Sequence, residues 1–158
     1  MKKVLLRREA KIPFTQEGYQ KLLEDRAKFL AARPEAVKNL SESRAMGDLS
    51  ENGYYKASRQ QLSFLDSRIR RVERLIRLAK IVESTNTGII DIGSNVTISD
   101  GTKEYSYELV GGYESNPSKQ TISHLSPIGR ALMGKKLHDI VEVHAPSGVK
   151  KYTIQSVS

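Results

Sequence analysis

YKASRQQLSFLDSRIRRVERLIRLA, residues Tyr55 to Ala79, is the stretch that decides the fold of this chain. Its apolar residues Tyr55, Leu62, Leu65, Ile69, Val72, Ile76 and Ala79 are spaced 7, 3, 4, 3, 4 and 3 apart. That rhythm is the a/d seam of a helix with one narrow apolar stripe, and charged side chains fill most other positions. Such a stripe has to be covered by a second helix. The partner lies upstream. Thr15 offers an N-cap hydroxyl, Glu17 stands in the first turn, and Leu23, Leu30 and Val37 recur every seven residues. Tyr19 and Leu40 fall on intermediate positions of that stripe. Pro34 removes one backbone bond and predicts a kink, not an end, because the apolar register resumes beyond it. The two patterns are separated by Gly47-Asp48-Leu49-Ser50-Glu51-Asn52. Two single-stripe helices with a short connection predict a long antiparallel coiled-coil hairpin with this hexapeptide at its tip. From Thr15 to Met46 the arm would be roughly 48 Å long at ~1.5 Å per residue.

Composition shifts at Ser84-Thr85-Asn86-Thr87-Gly88, a linker, and the pattern beyond it is β. Val96 and Ile98 alternate with polar neighbours, Asp100-Gly101 marks a hairpin turn, and Tyr105, Tyr107 and Leu109 share one face. Thr121 to Ser123 is a short strand. Ser126-Pro127 reads as N-cap and first helical residue of a short helix through Met133, stopped by Gly134. Ile140 to Val143 and Lys151 to Val157 are strands around a turn at Pro146-Ser147-Gly148. The fold class is therefore α+β, a coiled-coil hairpin over residues 1–84 followed by a small antiparallel β-sheet domain with one helix over 85–158.

With 158 residues, 38% hydrophobic and 28% charged, the chain has the composition of a soluble globular protein of one or two small domains. It has no cysteine, which excludes disulfides and thiolate metal sites and suits a cytoplasmic setting. The apolar run Val4 to Leu6 is too short for a signal peptide, and no segment approaches the ~20 apolar residues of a membrane span. Residues 1–84 hold 19 Lys+Arg and 11 Asp+Glu, a net +8, whereas residues 85–158 hold 7 of each. The whole basic excess lies on the hairpin half, which points to a polyanionic partner there.

Two carboxylates three residues apart at the end of a basic rod are a candidate metal site. Mg²⁺ takes oxygen ligands, often one or two carboxylates completed by water and phosphate. Asp48 and Glu51 cannot hold it tightly alone, but they can complete a site built by another macromolecule. A metal so placed activates water and stabilises displacement at a phosphodiester. The same Asp-x-x-Glu spacing is equally a capping-box variant at the start of the second helix. Arg44 and Arg59 lie four residues before Asp48 and eight after Glu51, within two to three turns of the tip, where they can grip a nucleic-acid phosphate. Tyr54 offers a ring to a base, while Tyr55 lies on the seam and is expected in the core. Arg68, Arg70, Arg71, Arg74 and Arg77 extend the basic character, or form a solvated face. His124, His138 and His144 lack metal spacing, and no nucleophile constellation, P-loop or dinucleotide turn is present.

Three motifs together resemble a family. Gly47 to Asn52 followed by Tyr55 resembles the tip of bacterial Gre transcript-cleavage factors. Arg33-Pro34-Glu35 and Leu78-Ala79-Lys80-Ile81-Val82 are similar to segments of the same hairpin, and the run from Ile122 to Lys135 is similar to the C-terminal signature. The resemblance runs from about Pro13 to Val157. It implies an FKBP-like fold for the second domain. It also implies a factor that enters the secondary channel of bacterial RNA polymerase and stimulates the polymerase's own cleavage of backtracked RNA. The chain would then not itself be an enzyme. By position, Asp48 and Glu51 match the tip acids that share Mg²⁺ with the polymerase, with none bound tightly to the free protein. Arg44 and Arg59 match basic residues near the nascent RNA 3′ end, and Ser126 and Pro127 match part of the polymerase-docking segment. The implied partners are RNA polymerase and the RNA and DNA of the elongation complex, engaged by a cytoplasmic monomer. Gly53 and Tyr54 depart from the family, which more often has a small or aromatic residue followed by an acid. Two other classes remain open: a channel-occupying regulator or inhibitor without cleavage activity, and a proline isomerase, which a second half without Trp or Phe supplies poorly.

Overall fold

The computed structural model describes residues 10–46, 52–84, 87–145 and 148–158. They form two compact units, one of residues 20–78 and one of residues 79–158 together with the chain before residue 20.

The first unit is a helical hairpin. Helix α1 spans Gln16–Ala45 and α2 spans Gly53–Leu78. The Thr15 hydroxyl accepts the Gly18 amide at 3.0 Å, so Thr15 is the N-cap of α1. The helix runs on through Pro34. Two ion pairs tie the helices, Arg26 Nε to Glu73 Oε1 at 3.3 Å and Arg33 Nε to Asp66 Oδ1 at 2.8 Å. The partners are one heptad apart on both helices, which fixes an antiparallel register. Both pairs are open to solvent, which screens them, so they add little to stability. Their value is in alignment. The Asp66 carboxyl is held below its usual range by its hydrogen bond to Arg33.

The α2 seam is as the spacing predicts through its middle, with Ile69 and Val72 buried and Tyr55, Leu62 and Leu65 half-buried. Ser58 fills the seam position between Tyr55 and Leu62 and is 3% exposed. Near the helix end Leu75 and Leu78 are buried more deeply than Ile76 and Ala79. The α1 seam differs from expectation by one residue. Leu23, Leu30 and Val37 are exposed at 36%, 38% and 40%, while Ala36 and Ser43 are buried and Leu22 and Phe29 half-buried. Two adjacent heptad rows are apolar in this helix, and only contact with α2 selects between them. The row 22, 29, 36, 43 is the one the structure covers.

In the second unit, β1 (Ile12–Phe14) pairs in parallel with β2 (Ala79–Ile81), an association across 67 residues in sequence that the helical pattern at Ala79 concealed. Strands β3 (Asn95–Ser99), β4 (Glu104–Val110), β5 (Thr121–Ser123), β6 (Ile140–Ala145) and β7 (Gly148–Val157) form a sheet of order β5-β4-β3-β7-β6. It is antiparallel except where β4 and β5 run parallel, so the sheet is mixed, not purely antiparallel as the strand pattern suggested. A 3₁₀ turn, Pro117–Lys119, precedes β5, and the connection this allows brings β5 back beside β4 in the same direction. Helix α3 (Pro127–Leu132) packs on the sheet.

Alternation decides the core. Val96, Ile98, Leu109, Val141, Val143, Tyr152 and Ile154 point to one face and bury against Leu132 and Ile90. Each such side chain contributes roughly 1.5–3 kcal/mol. The β3–β4 turn is held by Asp100, which accepts the Thr102 and Lys103 amides at 2.9 and 2.8 Å and the Thr102 hydroxyl at 2.7 Å. Those donors hold its carboxyl far below the usual range, the Thr102 hydroxyl foremost. Gly101 takes φ +89° there, a conformation open to glycine.

Candidate functional site at the hairpin tip

Asp48 and Glu51, with the rest of Gly47 to Glu51, lie outside the described residues. The structure describes what flanks them. Asn52 precedes the first residue of α2, and its Oδ1 accepts the Tyr55 amide at 3.0 Å. Asn52 is therefore the N-cap, with Tyr55 at the third helical position. Its Nδ2 donates to the Ser43 carbonyl at 2.9 Å, which joins the start of α2 to the last turn of α1. Ser43 is fully buried and its hydroxyl donates to the Leu40 carbonyl at 2.8 Å. The cap was legible in principle, since Asn is a preferred N-cap residue. The tie to Ser43 was not, because nothing in a sequence pairs residues nine apart across a turn.

Arg44 lies in the last turn of α1 with its guanidinium over the Tyr55 ring, 6.0 Å from the centroid, at the outer limit of a cation–π contact. Tyr55 thus serves the seam and holds a cation at the tip. Arg59 lines an open surface groove of about 540 Å³ on α2, together with Lys56, Gln60, Ser63, Phe64 and Ser67. Phe64 is 58% exposed, and Arg68 lies 4.8 Å over its ring. The groove joins two cations to an exposed aromatic ring, a combination suited to phosphate and base. Lys56 and Phe64 were not grouped with Arg59 from sequence. The three-residue spacing of Lys56 from Arg59 puts both on one helix face, whereas Phe64, five residues on, carries no such signal. Tyr54 is exposed at 41%.

Among the described residues, no group of three or more His, Cys, Asp or Glu side chains is placed to hold a metal ion, and no helix is long and apolar enough to cross a membrane. Ser126 and Pro127 belong to the other unit. The Ser126 hydroxyl accepts the Gly129 amide at 2.9 Å as N-cap of α3, and Pro127 opens the helix. A Cβ at Gly129 would overlap the Ser123 carbonyl, so this turn is held tightly against β5. Leu125 beside it is 60% exposed.

Comparison with known proteins agrees with this architecture. Residues 12–81 match the family model described as transcription elongation factor, N-terminal, and residues 85–158 match transcription elongation factor, GreA/GreB, C-term. Among similar curated proteins, the transcription elongation factor GreA of Staphylococcus epidermidis is 40% identical over 140 residues, 86% of this chain and 89% of that protein. The protein of the same name from Ruegeria pomeroyi is 40% identical over 152 residues, 93% of this chain and 97% of its own. That of Lactococcus lactis is 42% identical over 145 residues, 89% and 93%. The crystal structure of GreA factor homolog 1 (Gfh1) of Thermus thermophilus is 25% identical, covers 94% of this chain and 99% of its own, and superposes with a TM-score of 0.45. With both halves of the sequence matched in order, the chain belongs to the GreA/GreB family of transcription elongation factors.

Proposed function

We propose that this chain stimulates RNA cleavage by RNA polymerase, with Asp48 and Glu51 supplied from the hairpin tip to the polymerase's active site. The observation that carries this reading is the cap at Asn52. The sequence left the acid pair with two roles, capping α2 or holding a metal. Helix α2 starts at Gly53 with Asn52 as its N-cap, whereas the capping reading put the N-cap at Asp48, and this supports the metal role for the acids. The two carboxylates are a hard-oxygen donor set that suits Mg²⁺, and two carboxylates alone do not make a tight site for it. When bound, Mg²⁺ supplies a polarised water and neutralises charge developing at the phosphodiester.

The residues of this chain do the rest. Arg44, held over Tyr55, and Arg59, in the groove with Phe64, attract and orient the phosphates of an RNA 3′ end. Asp48 and Glu51 orient the attacking water and complete the ligand set. Ser126 and Pro127, at the tight turn before α3, present a rigid docking surface to the polymerase. The chemistry belongs to the polymerase, so the isolated chain is expected to leave RNA intact, and the factor acts in the cytoplasm as a monomer.

The test uses halted, backtracked elongation complexes. The wild-type chain is expected to shorten the RNA at its 3′ end, and Asp48→Ala/Glu51→Ala is expected to lower the rate by about 10²-fold or more. Equal stimulation by the double variant would overturn the assignment of the acids. Slowed transcription with no shortened RNA would replace it with a channel-occupying inhibitor.

A further inference from the structure

Helix α2 carries seven Lys and Arg side chains but only two carboxylates, Asp66 and Glu73. Both carboxylates are engaged by α1, through Arg33 and Arg26. The face of α2 opposite its seam has no acid. Lys56, Gln60, Ser63, Ser67, Arg71 and Arg74 recur there at spacings of 4, 3, 4, 4 and 3, and all are exposed. The part of this stripe from Lys56 to Ser67 is the open groove of about 540 Å³ that Arg59 and Phe64 also line. It runs for about 16 Å at ~1.5 Å per residue. Phe64 stands four residues after Gln60 and three before Ser67, so its ring forms one wall, 58% exposed. Arg68 covers one side of that ring at 4.8 Å. Among the described residues, neither Lys56 nor Arg59 meets a carboxylate. A helix face built only for water alternates charges of both signs. This one holds a single sign, neutral hydrogen-bonding groups and an aromatic ring.

We propose that the outer face of α2 is a binding track for single-stranded RNA, which the chain holds without the polymerase. Lys56 and Arg59 contact successive phosphates, and the open side of Phe64 is a platform for one base. Arg68 closes the other side of the ring and offers its own guanidinium plane to a neighbouring base. Gln60, Ser63 and Ser67 supply donors and acceptors to base edges and 2′-hydroxyls. A duplex keeps its bases stacked inside and has none to lay on Phe64, so the groove fits a single strand. An apolar protein partner would find one ring among polar side chains. The affinity belongs to α2 and needs neither Asp48 nor Glu51. Only the choice of RNA over DNA rests on the function proposed above.

The test titrates the full chain, without polymerase, into a fluorescent single-stranded oligoribonucleotide of mixed sequence and reads anisotropy over a series of salt concentrations. Phe64→Ala is expected to weaken binding about tenfold and to leave the slope of log affinity against log salt unchanged. Phe64→Leu, which keeps apolar bulk without a ring, should lose as much, and Phe64→Tyr should stay within about twofold of wild type. Lys56→Ala and Arg59→Ala should each lower the slope by about 0.7. Lys38, which pairs with Glu42 on α1, gives a control of equal charge, and Lys38→Ala should stay within about twofold of wild type. Because Phe64 is exposed, far-ultraviolet circular dichroism is expected to be the same for its variants and the wild type. Binding to the RNA annealed to its complement should be indifferent to Phe64→Ala. Equal affinity of wild type and Phe64→Ala for the single strand, or an equal loss on the duplex, overturns the platform. The matching DNA strand is expected to bind about threefold more weakly, and DNA held as tightly as RNA overturns the assignment to RNA. Polyglutamate that displaces the RNA as well as unlabelled RNA does would replace it with an acidic polypeptide. Wild-type protein that binds no single strand at low salt overturns the track and leaves the cleavage reading standing. Bound RNA with no stimulated cleavage overturns that reading alone.

Discussion

Asn52 makes two hydrogen bonds at the start of α2. It caps α2 and reaches across to Ser43, so its loss removes a cap and a tie together. Asn52→Ala is expected to destabilise the hairpin by about 1 kcal/mol, read as a lower midpoint in urea. Glu108 offers a test through pH. Burial raises its pKa, helped by the charges of Glu17 and Glu114 and opposed by Lys119. A carboxyl with a raised folded pKa favours folding while protonated, and that contribution is lost as pH rises through the folded value. Glu108→Gln should therefore raise the melting temperature at pH 7, on the order of 1 °C, with no difference at about pH 3, below the ordinary glutamate range. Asp100 has the opposite sign. Its pKa is depressed by the hydroxyl and amides of its turn, so its contribution is present above the ordinary carboxylate range and lost only as pH falls well below it.

At the scale of elements, α1 is the instructive case. Leu22-Leu23, Phe29-Leu30 and Ala36-Val37 give two apolar rows side by side, each with a seven-residue repeat. Periodicity alone favoured the bulkier row 23, 30, 37. The structure turns the other row to α2, where Ala36 is 2% exposed and Ser43 is fully buried. The two readings make opposite predictions. Val37→Ala should cost under about 0.5 kcal/mol, whereas Ala36→Leu should overpack the seam and cost about 1–3 kcal/mol, both measured by chemical denaturation. The α2 seam was legible because its apolar residues stand in one row. Even there a serine at position 58 hid one seam position, since burial of a small polar residue leaves no hydrophobic signal.

For the whole molecule, charge and connectivity matter more than any single contact. The net +8 of residues 1–84 makes binding to a polyanionic partner depend on salt. Replacing Arg44 and Arg59 by Ala is expected to weaken binding to a stalled elongation complex. It should also reduce the slope of log affinity against log salt by about 1 for each phosphate contact removed. Connectivity is tested at Phe14. Residues 10–19 belong to one unit with residues 79–158, and Phe14 is nearly inaccessible in that unit. Phe14→Ala should therefore destabilise the β unit by about 3–5 kcal/mol, although the residue precedes the hairpin in sequence. Near-UV circular dichroism of the tyrosines reads that loss, because Phe14 stacks on Tyr113.

Local patterns were enough for the hairpin, the Thr15 and Ser126 caps, the Asp100-Gly101 turn and the inward faces of β3, β4, β6 and β7. Helical and strand periods, cap preferences and turn chemistry act within a few residues, so they are written in the chain itself. The acid pair is a reading of the sequence alone, since Asp48 and Glu51 lie outside the described residues. Tertiary structure alone decided the α1 seam, the parallel pairings of β1 with β2 and β4 with β5, and the Asn52–Ser43 tie. It also decided the meeting of Glu114 with Thr15. Each of these joins residues that local pattern leaves equivalent or does not relate. The choice between them follows from which close approach leaves backbone groups hydrogen-bonded and apolar surface covered.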